Sequence, residues 1–170
     1  MQVALSSAHK HILRTLLACL IAMTWLAKPA AAASSTATFN VTANVATACS
    51  FTAADLAYGT YDPTSGVDKT GTSTLSVTCT LGTPYTLSLD NGSNASAGVR
   101  RMKLGSTYLS YHLYRDLAHL LVFGLVSGGL GVSGVGTGVA IPTTVYGTVT
   151  NSQTVGPGTY TDTVTATMDY

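Results

Sequence analysis

The 170-residue sequence contains no glutamate, only two glutamines and few charges, which make up 9% of its residues. Glutamate, lysine and glutamine are strong helix formers, so their scarcity argues against a helical protein. All seven acidic residues are aspartates, and their scattered positions single out no pair as general acid and base. The low charge also leaves no basic surface of the kind that binds nucleic acid or an anionic membrane.

Histidine and cysteine are scarce as well, with four and three residues. Cys49 and Cys79 are far apart and have no adjacent histidine, which does not fit a zinc site. His112, Asp116 and His119 would share a face only in a helix, and that segment has strand character. Because no G-x-S-x-G motif is present either, the sequence is interpreted as that of a non-enzyme without metal or cofactor.

A glycine-rich stretch, residues 124–138, contains seven glycines in fifteen residues. Within it, residues 129–134 match the G-x-G-x-x-G pattern of nucleotide-binding loops. That pattern requires a following helix, but Pro142 comes soon after and no carboxylate lies about 20 residues on. We therefore interpret this stretch as a flexible loop without periodicity and expect no nucleotide there.

The N-terminal residues have the order of an export signal. Basic residues precede an apolar run, residues 16–26, and small residues follow at positions 30–33. The run is about half of the ~20 residues that a membrane-spanning helix needs, so a signal peptide is favoured over an anchor and no stable membrane span is expected. We expect cleavage near Ala32 or Ala33, with residues 1–33 removed and residues 34–170 forming one domain.

Loss of this leader would discard Cys19 and leave Cys49 and Cys79 in an oxidising compartment. One disulfide is expected, the alternative being two buried free thiols. Five cations would remain against seven aspartates, a net charge of −2. So few charges on a secreted protein fit a surface that is partly covered by other protein.

The remaining residues have the composition and alternation of β-strands. Twenty-six of residues 34–170 are threonine, a residue that favours sheet. Strands are predicted at residues 36–45, 74–81, 85–89, 99–104, 108–116, 143–149 and 159–170, with short strand pieces at Phe51 and residues 56–58. Seven or so short strands indicate an all-β sandwich of the immunoglobulin kind.

Three of these strands carry more specific predictions. In residues 74–81 the inward side chains are expected to be Leu75, Val77, Cys79 and Leu81. Residues 108–116 are apolar on both faces, so this strand should lie centrally in a sheet or have one face under a loop or a neighbour. Residues 99–104, with three cations, are interpreted as a solvated strand edge, the alternative being an anion-binding patch.

The N-terminal strand has one apolar and one polar face. Phe39, Val41, Ala43 and Val45 lie on the first, whereas threonine and asparagine alternate on the second. A strand next to a free terminus either pairs within its own domain or leaves to complete the sheet of a neighbour. Which of the two it does decides the function.

Several stretches, in this order and spacing, resemble the spore coat protein U family, whose members are similar to pilin subunits of the archaic chaperone–usher pathway. They are TFNVTA at 38–43, LAYGTYDP at 56–63, VTC at 77–79 followed by GTPY at 82–85, RRM at 100–102, LSYHLYRD at 109–116, VYG at 145–147 and GTYTDTV at 158–164. The resemblance implies a secreted structural subunit with an immunoglobulin-like sandwich that lacks one strand. Residues 117–126 are more apolar than the family pattern, and we leave open whether they widen a subunit contact, cover a groove or mark a degenerate copy.

In such a family a periplasmic pilus chaperone supplies the missing strand during export. An outer-membrane usher then exchanges it for the N-terminal extension of the next subunit, giving a head-to-tail polymer. The resemblance implies that Cys49 and Cys79 form the intradomain disulfide. It also implies that Phe39, Val41, Ala43 and Val45 are the donor side chains of a segment at about residues 36–46.

The implied product is a pilus or coat on the cell surface that serves adhesion or biofilm formation. The alternative function is that of a monomeric secreted sandwich. In that case the N-terminal strand pairs with its own sheet, and the tyrosine-rich face or the basic residues 100–103 bind a glycan or an anion.

Overall fold

The structure is a computed structural model that describes residues 31–170. The chain divides into two units after Ala43, and the fold described below is that of the second, Asn44–Tyr170. Of the predicted signal peptide, only residues 31–33 belong to the described part, so this prediction is not tested. Among the described residues, no helix has the length and apolar character needed to cross a membrane.

The described residues form eight strands in two antiparallel sheets, which confirms the predicted all-β class. The strands are β1 (Cys49–Ala53), β2 (Lys69–Cys79), β3 (Pro84–Leu89), β4 (Arg100–Leu104), β5 (Thr107–Tyr114), β6 (Val132–Val135), β7 (Ile141–Val149) and β8 (Ala166–Asp169). One sheet has the order β1-β2-β7-β5-β4 and the other the order β6-β3-β8. The two sheets enclose a common core, as in an immunoglobulin-like sandwich.

The core follows from alternation along the strands, because every second side chain points inward. Its buried apolar members are Leu75, Val77, Cys79, Tyr85, Leu87, Leu89, Leu109, Tyr111, Leu113, Phe123, Val145 and Val149. One inward prediction was wrong: Leu81 is 78% exposed. Strand β2 ends at Cys79 and Leu81 lies in the turn beyond it, where the alternation no longer applies.

The predicted central position of residues 108–116 is confirmed. Strand β5 lies between β4 and β7, with Tyr111 opposite Arg100 and Leu113 opposite Gly147. The last predicted strand is shorter than expected, since only Ala166–Asp169 pairs with β3. Residues 159–165 nevertheless keep the alternation, because Tyr160, Asp162 and Val164 are half-buried and the residues between them are exposed.

The prediction of a loose loop at residues 124–138 was wrong. The stretch contains a 3-10 turn, Val126–Gly128, and the strand β6, which pairs with β3. Its glycines permit close packing: a Cβ at Gly134 would lie 2.4 Å from the Tyr85 hydroxyl, and one at Gly136 would lie 2.5 Å from the Thr80 carbonyl oxygen. Glycine within a strand here marks close approach of a neighbour, not flexibility.

The predicted disulfide is confirmed. Cys49 and Cys79 lie directly opposite each other on β1 and β2, and their sulfur atoms are bonded. β1 is an edge strand of the larger sheet and pairs only with β2, so the disulfide links this edge strand covalently to its one neighbour in the sheet.

Removal of the disulfide should lower stability strongly. The bond closes a loop of sequence separation 30, and loop-closure entropy predicts that the free energy of unfolding falls by about 3–4 kcal/mol without it. Urea denaturation of the Cys49→Ser/Cys79→Ser variant measures this, with the reduced wild-type chain as the matched control. If the double variant unfolds at the same urea concentration as the oxidised wild type, the loop-closure argument is wrong.

Candidate functional site

One edge of the sandwich is closed by a segment that hydrogen-bonds to both sheets. The Phe123 N–H donates to the Leu113 carbonyl oxygen of β5 at 2.9 Å, and the Gly124 carbonyl oxygen accepts from the Leu89 N–H of β3 at 3.1 Å. The Phe123 side chain is fully buried between the sheets. The apolar residues 117–126 therefore close the sandwich at this place through Phe123, while Leu117 and Leu120 remain exposed.

Elsewhere a groove opens into the core between two segments that are not paired with each other. One wall consists of residues 53–61, in and after β1, and the other of residues 155–166, which lead into β8. The floor is the inner face of the larger sheet, including Leu75, Leu113 and Val145. The inward side chains of the walls, such as Leu56 and Val164, are only half-buried, because nothing in the described chain covers them.

The groove consists of two adjoining chambers. The first has a volume of about 500 Å³ and lies between residues 53–58 and 160–166. The second, of about 800 Å³, lies between residues 56–63 and 155–160. Four side chains line both chambers: Leu56, Tyr58, Met102 and Tyr160.

In the wall at residues 160–166, the backbone groups on one side are hydrogen-bonded and those on the other side are not. Its odd-numbered residues accept hydrogen bonds from the body of the sandwich: Lys103 N to Thr161 O at 2.8 Å, Ser93 N to Thr163 O at 3.0 Å and Asp90 N to Thr165 O at 3.0 Å. Within the described chain, Asp162 and Val164 make no backbone hydrogen bond. Alternate residues of an extended chain direct their backbone groups to opposite sides, so this wall offers a free edge to another strand.

The opposite wall is also unpaired beyond β1. Its last backbone hydrogen bond runs from Ala54 N to Thr74 O at 3.0 Å, and residues 55–60 have none to other described residues. This wall rests on two glycines, Gly71 and Gly147, that face each other on β2 and β7. A Cβ at Gly147 would lie 2.4 Å from the Tyr58 hydroxyl oxygen, so a larger residue there would force the Tyr58 side chain to move.

A polar cluster fastens the other wall to the floor. The Tyr111 hydroxyl donates to Asp162 Oδ2 at 2.7 Å, and the Asn94 N–H donates to Asp162 Oδ1 at 3.0 Å. Burial and this bond to the carboxylate raise the pKa of Tyr111, so its hydroxyl stays protonated and remains a donor. These contacts hold the wall in place without a partner strand.

Tyr58, on the first wall, has a buried hydroxyl group without a hydrogen-bond partner among the described residues. Burial raises its pKa as well, so the group is neutral. The sequence stretch around Tyr58 was predicted as a short strand piece, and the structure places it at the groove as an extended segment without a strand partner.

The basic residues 100–103 do not form one cationic patch. Arg100 is buried, where its Nε donates to the Asp90 carbonyl oxygen at 2.9 Å, and burial lowers its pKa. Arg101 lies over the Tyr108 ring at 4.1 Å, with the Lys103 ammonium 5.9 Å from the same ring. The structure thus separates Arg100 from the other two cations, and the solvated-edge interpretation fits Arg101 and Lys103.

The histidine and aspartate residues considered for metal binding have other contacts. His119 lies 5.1 Å from the Tyr114 ring and its Nδ1 is 3.4 Å from the Thr148 hydroxyl. The Asp116 carboxylate accepts from the N–H of Leu121 at 2.7 Å. Within the described residues, no group of three or more metal-ligating side chains is assembled.

The N-terminal segment has no strand partner. Residues 31–48 contain no regular secondary structure, so the strand predicted at residues 36–45 is not formed in this single chain. The side chains of Phe39, Val41 and Val45 are 84%, 82% and 79% exposed. Ala43 is exposed as well. A strand needs a hydrogen-bonding neighbour, and residues 36–45 have none among the described residues. The hydrogen bonds of this segment begin after them, between Thr80 and residues Ala46 and Ala48.

Comparison with known proteins identifies the family. The family model described as Spore Coat Protein U domain matches residues 35–167. This chain belongs to the Spore Coat Protein U domain family. It is 42% identical to Protein U of Myxococcus xanthus over 159 residues, covering 84% of this chain and 88% of that protein. The family resemblance predicted from the sequence is therefore confirmed.

A solved structure has the same fold as this member of the Spore Coat Protein U domain family. It is a chain in the pre-assembly complex of the chaperone CsuC with the tip adhesion subunit CsuE, from archaic chaperone–usher Csu pili of Acinetobacter baumannii. The TM-score is 0.58 at 24% identity, over 74% of this chain and 40% of that chain. The match thus spans two fifths of the solved chain, and it confirms the predicted pilin-type sandwich.

The sequence predicted parts of the groove but not the groove itself. The alternation of residues 159–170 and the strand piece at residues 56–58 identified both walls. Met102 and the two glycines beneath the wall were missed. Gly147 lies inside the strand predicted at residues 143–149, where a glycine is a signal of close approach by another segment, but Gly71 lies before the strand predicted at residues 74–81.

Proposed function

We propose that this protein is a secreted structural subunit of a surface fibre or coat and that its subunits assemble by donor-strand exchange. In this proposal, residues 36–46 of one subunit lie in the groove of the next. Phe39, Val41, Ala43 and Val45 face the floor, and the backbone pairs with the free edge at Asp162 and Val164. The proposed role is structural and not enzymatic.

The observation that supports the proposal is the match between an open groove and an exposed apolar segment of the same chain. A sandwich with half-buried inward side chains and unpaired backbone edges is expected to be aggregation-prone until a strand covers it. The three large donor side chains would each contribute about 1.5–3 kcal/mol on burial, before the ordering of the segment is subtracted. New backbone hydrogen bonds would add to this contact.

The same geometry would give a polymer. Donor segment and groove are different surfaces, so each contact is head-to-tail and leaves one free donor and one free groove. A periplasmic pilus chaperone would cover the groove during export, and an outer-membrane usher would exchange it for the next subunit. The product would be a pilus or coat at the cell surface that serves adhesion or biofilm formation.

A synthetic peptide of residues 36–46 tests the proposal. Added to the purified exported chain at about 100 times its dissociation constant, it should stabilise the fold by about 2.7 kcal/mol by mass action. For a domain of this size that is a rise in Tm of roughly 8 °C, measured by thermal unfolding. A peptide with the same residues in scrambled order is the control. If the native and scrambled peptides shift Tm equally, or neither shifts it, the proposal is wrong.

A further inference from the structure

A ridge divides the groove into its two chambers. The four side chains that line both chambers come from three places: Leu56 and Tyr58 from one wall, Tyr160 from the other, and Met102 from β4. Because these side chains border both empty volumes, they lie where the two chambers meet. A strand laid along the groove has to cross this ridge.

Two of the ridge side chains have close contacts with other parts of the chain, Tyr160 through hydrogen bonds and Tyr58 through packing. The Tyr160 hydroxyl donates to the Gly156 carbonyl oxygen at 3.1 Å and lies 3.1 Å from the Thr107 hydroxyl. Tyr58 is seated over Gly147, where its hydroxyl occupies the space that a side chain would take. A strand therefore cannot push the ridge aside at these points without breaking packing or a hydrogen bond.

The donor row has one small member between large ones. Its side chains read Phe39, Val41, Ala43 and Val45, and consecutive members of such a row lie about 6.6–6.8 Å apart on one face of a strand. Val41 and Val45 are thus about 13 Å apart, with only a methyl group between them.

We propose that Ala43 crosses the ridge and sets the register of the donor strand. This inference rests on the proposed function and adds the position of each donor side chain. With Ala43 on the ridge, Val41 and Val45 enter different chambers, and Phe39 shares the chamber of Val41. A shift by two residues in either direction places a valine on the ridge and misaligns the row.

The ridge also determines which strands the groove accepts. It selects an extended segment in which a small residue is flanked, two positions away on both sides, by large apolar residues. The partner that fits is the N-terminal segment of a second copy of this chain. A segment with an unbroken row of large side chains is rejected, since it would overpack the groove at the ridge.

Peptide variants test this on the unaltered exported chain. The probes are the peptide of residues 36–46, the same peptide with Ala43→Phe, and a control with Thr42→Phe, which adds the same ring on the opposite face. Isothermal titration should show binding at least tenfold weaker for Ala43→Phe, and within about threefold of the native peptide for Thr42→Phe. The Ala43→Phe peptide should regain at least part of its lost affinity when the acceptor is a full chain carrying Met102→Ala, because this change shortens a side chain of the ridge.

The outcomes separate the two claims. If the native peptide binds and the Ala43→Phe peptide binds equally well, the register inference is wrong and the proposed function stands. If both phenylalanine peptides are weakened equally, the groove does not distinguish the two faces, and the register inference is again wrong. If the native peptide does not bind at all, the proposed function is wrong, and the inference is overturned with it.

Discussion

Replacing Phe123 by alanine is expected to lower the free energy of unfolding by about 3–5 kcal/mol, the range for a fully buried phenylalanine. Phe123 has no exposed surface and belongs to a segment that is hydrogen-bonded to β5 and to β3. Its removal leaves a cavity between the sheets that the neighbouring side chains fill only in part. Urea unfolding of the oxidised chain, followed by circular dichroism, measures the loss.

Leu120→Ala is the matched control, because Leu120 belongs to the same apolar stretch but is 78% exposed. Its loss should change the free energy of unfolding by less than about 0.5 kcal/mol, as for most surface positions. Equal losses at the two positions would contradict the role given to Phe123 in closing this edge. A small loss at both would mean that the sandwich is held together elsewhere.

The sequence alone could not distinguish these two residues. The stretch 117–126 is apolar without a period, so no residue in it is identified as inward. Phe123 is buried because its own N–H bonds to β5 and the carbonyl oxygen of Gly124 bonds to β3, which holds it between the sheets. These contacts join residues far apart in sequence. In contrast, β2 and β3 were found from alternation, because their sequences repeat apolar residues with a period of two.

The high glycine content of residues 124–138 caused a second wrong prediction, that of a flexible loop. In residues 124–138 many glycines and no period resemble a loose loop, but the structure places β6 there against β3. Gly134 lies under the Tyr85 ring and Gly147 under Tyr58. A sequence shows that a side chain is missing but not which neighbour uses the space, so glycine composition predicts flexibility and close packing equally well.

The groove could be predicted only in part. Alternation identified both walls, yet which edge of the sandwich stays open depends on strand order, since β1 and β8 are edge strands of different sheets. Residues 36–45 were predicted as a strand from their row of apolar side chains, and the family resemblance implied a donor role for them. The place where such a strand would pair could not be predicted, because the sequence of a strand does not identify its hydrogen-bonding neighbour.

Replacing Val41 by aspartate is expected to abolish polymer formation. Val41 lies in the middle of the proposed donor row and is 82% exposed in the single chain, so the change leaves the subunit's own core intact. In the groove, the valine contribution of about 1.5–3 kcal/mol would be lost, and an unpaired carboxylate would be buried at a further cost. We expect SDS-resistant multimers on the surface of producing cells to fall at least 100-fold, measured by electrophoresis without boiling.

Thr42→Asp is the control that makes this result specific, because it adds the same charge one residue along, on the face that points away from the groove. This variant should form multimers at close to the wild-type level. Charge alone, a change in export or general repulsion between subunits would affect both variants equally, whereas a strand buried on one face distinguishes them. If Val41→Asp chains polymerise like the wild type, residues 36–46 do not occupy a groove, and donor-strand exchange is not how this protein assembles.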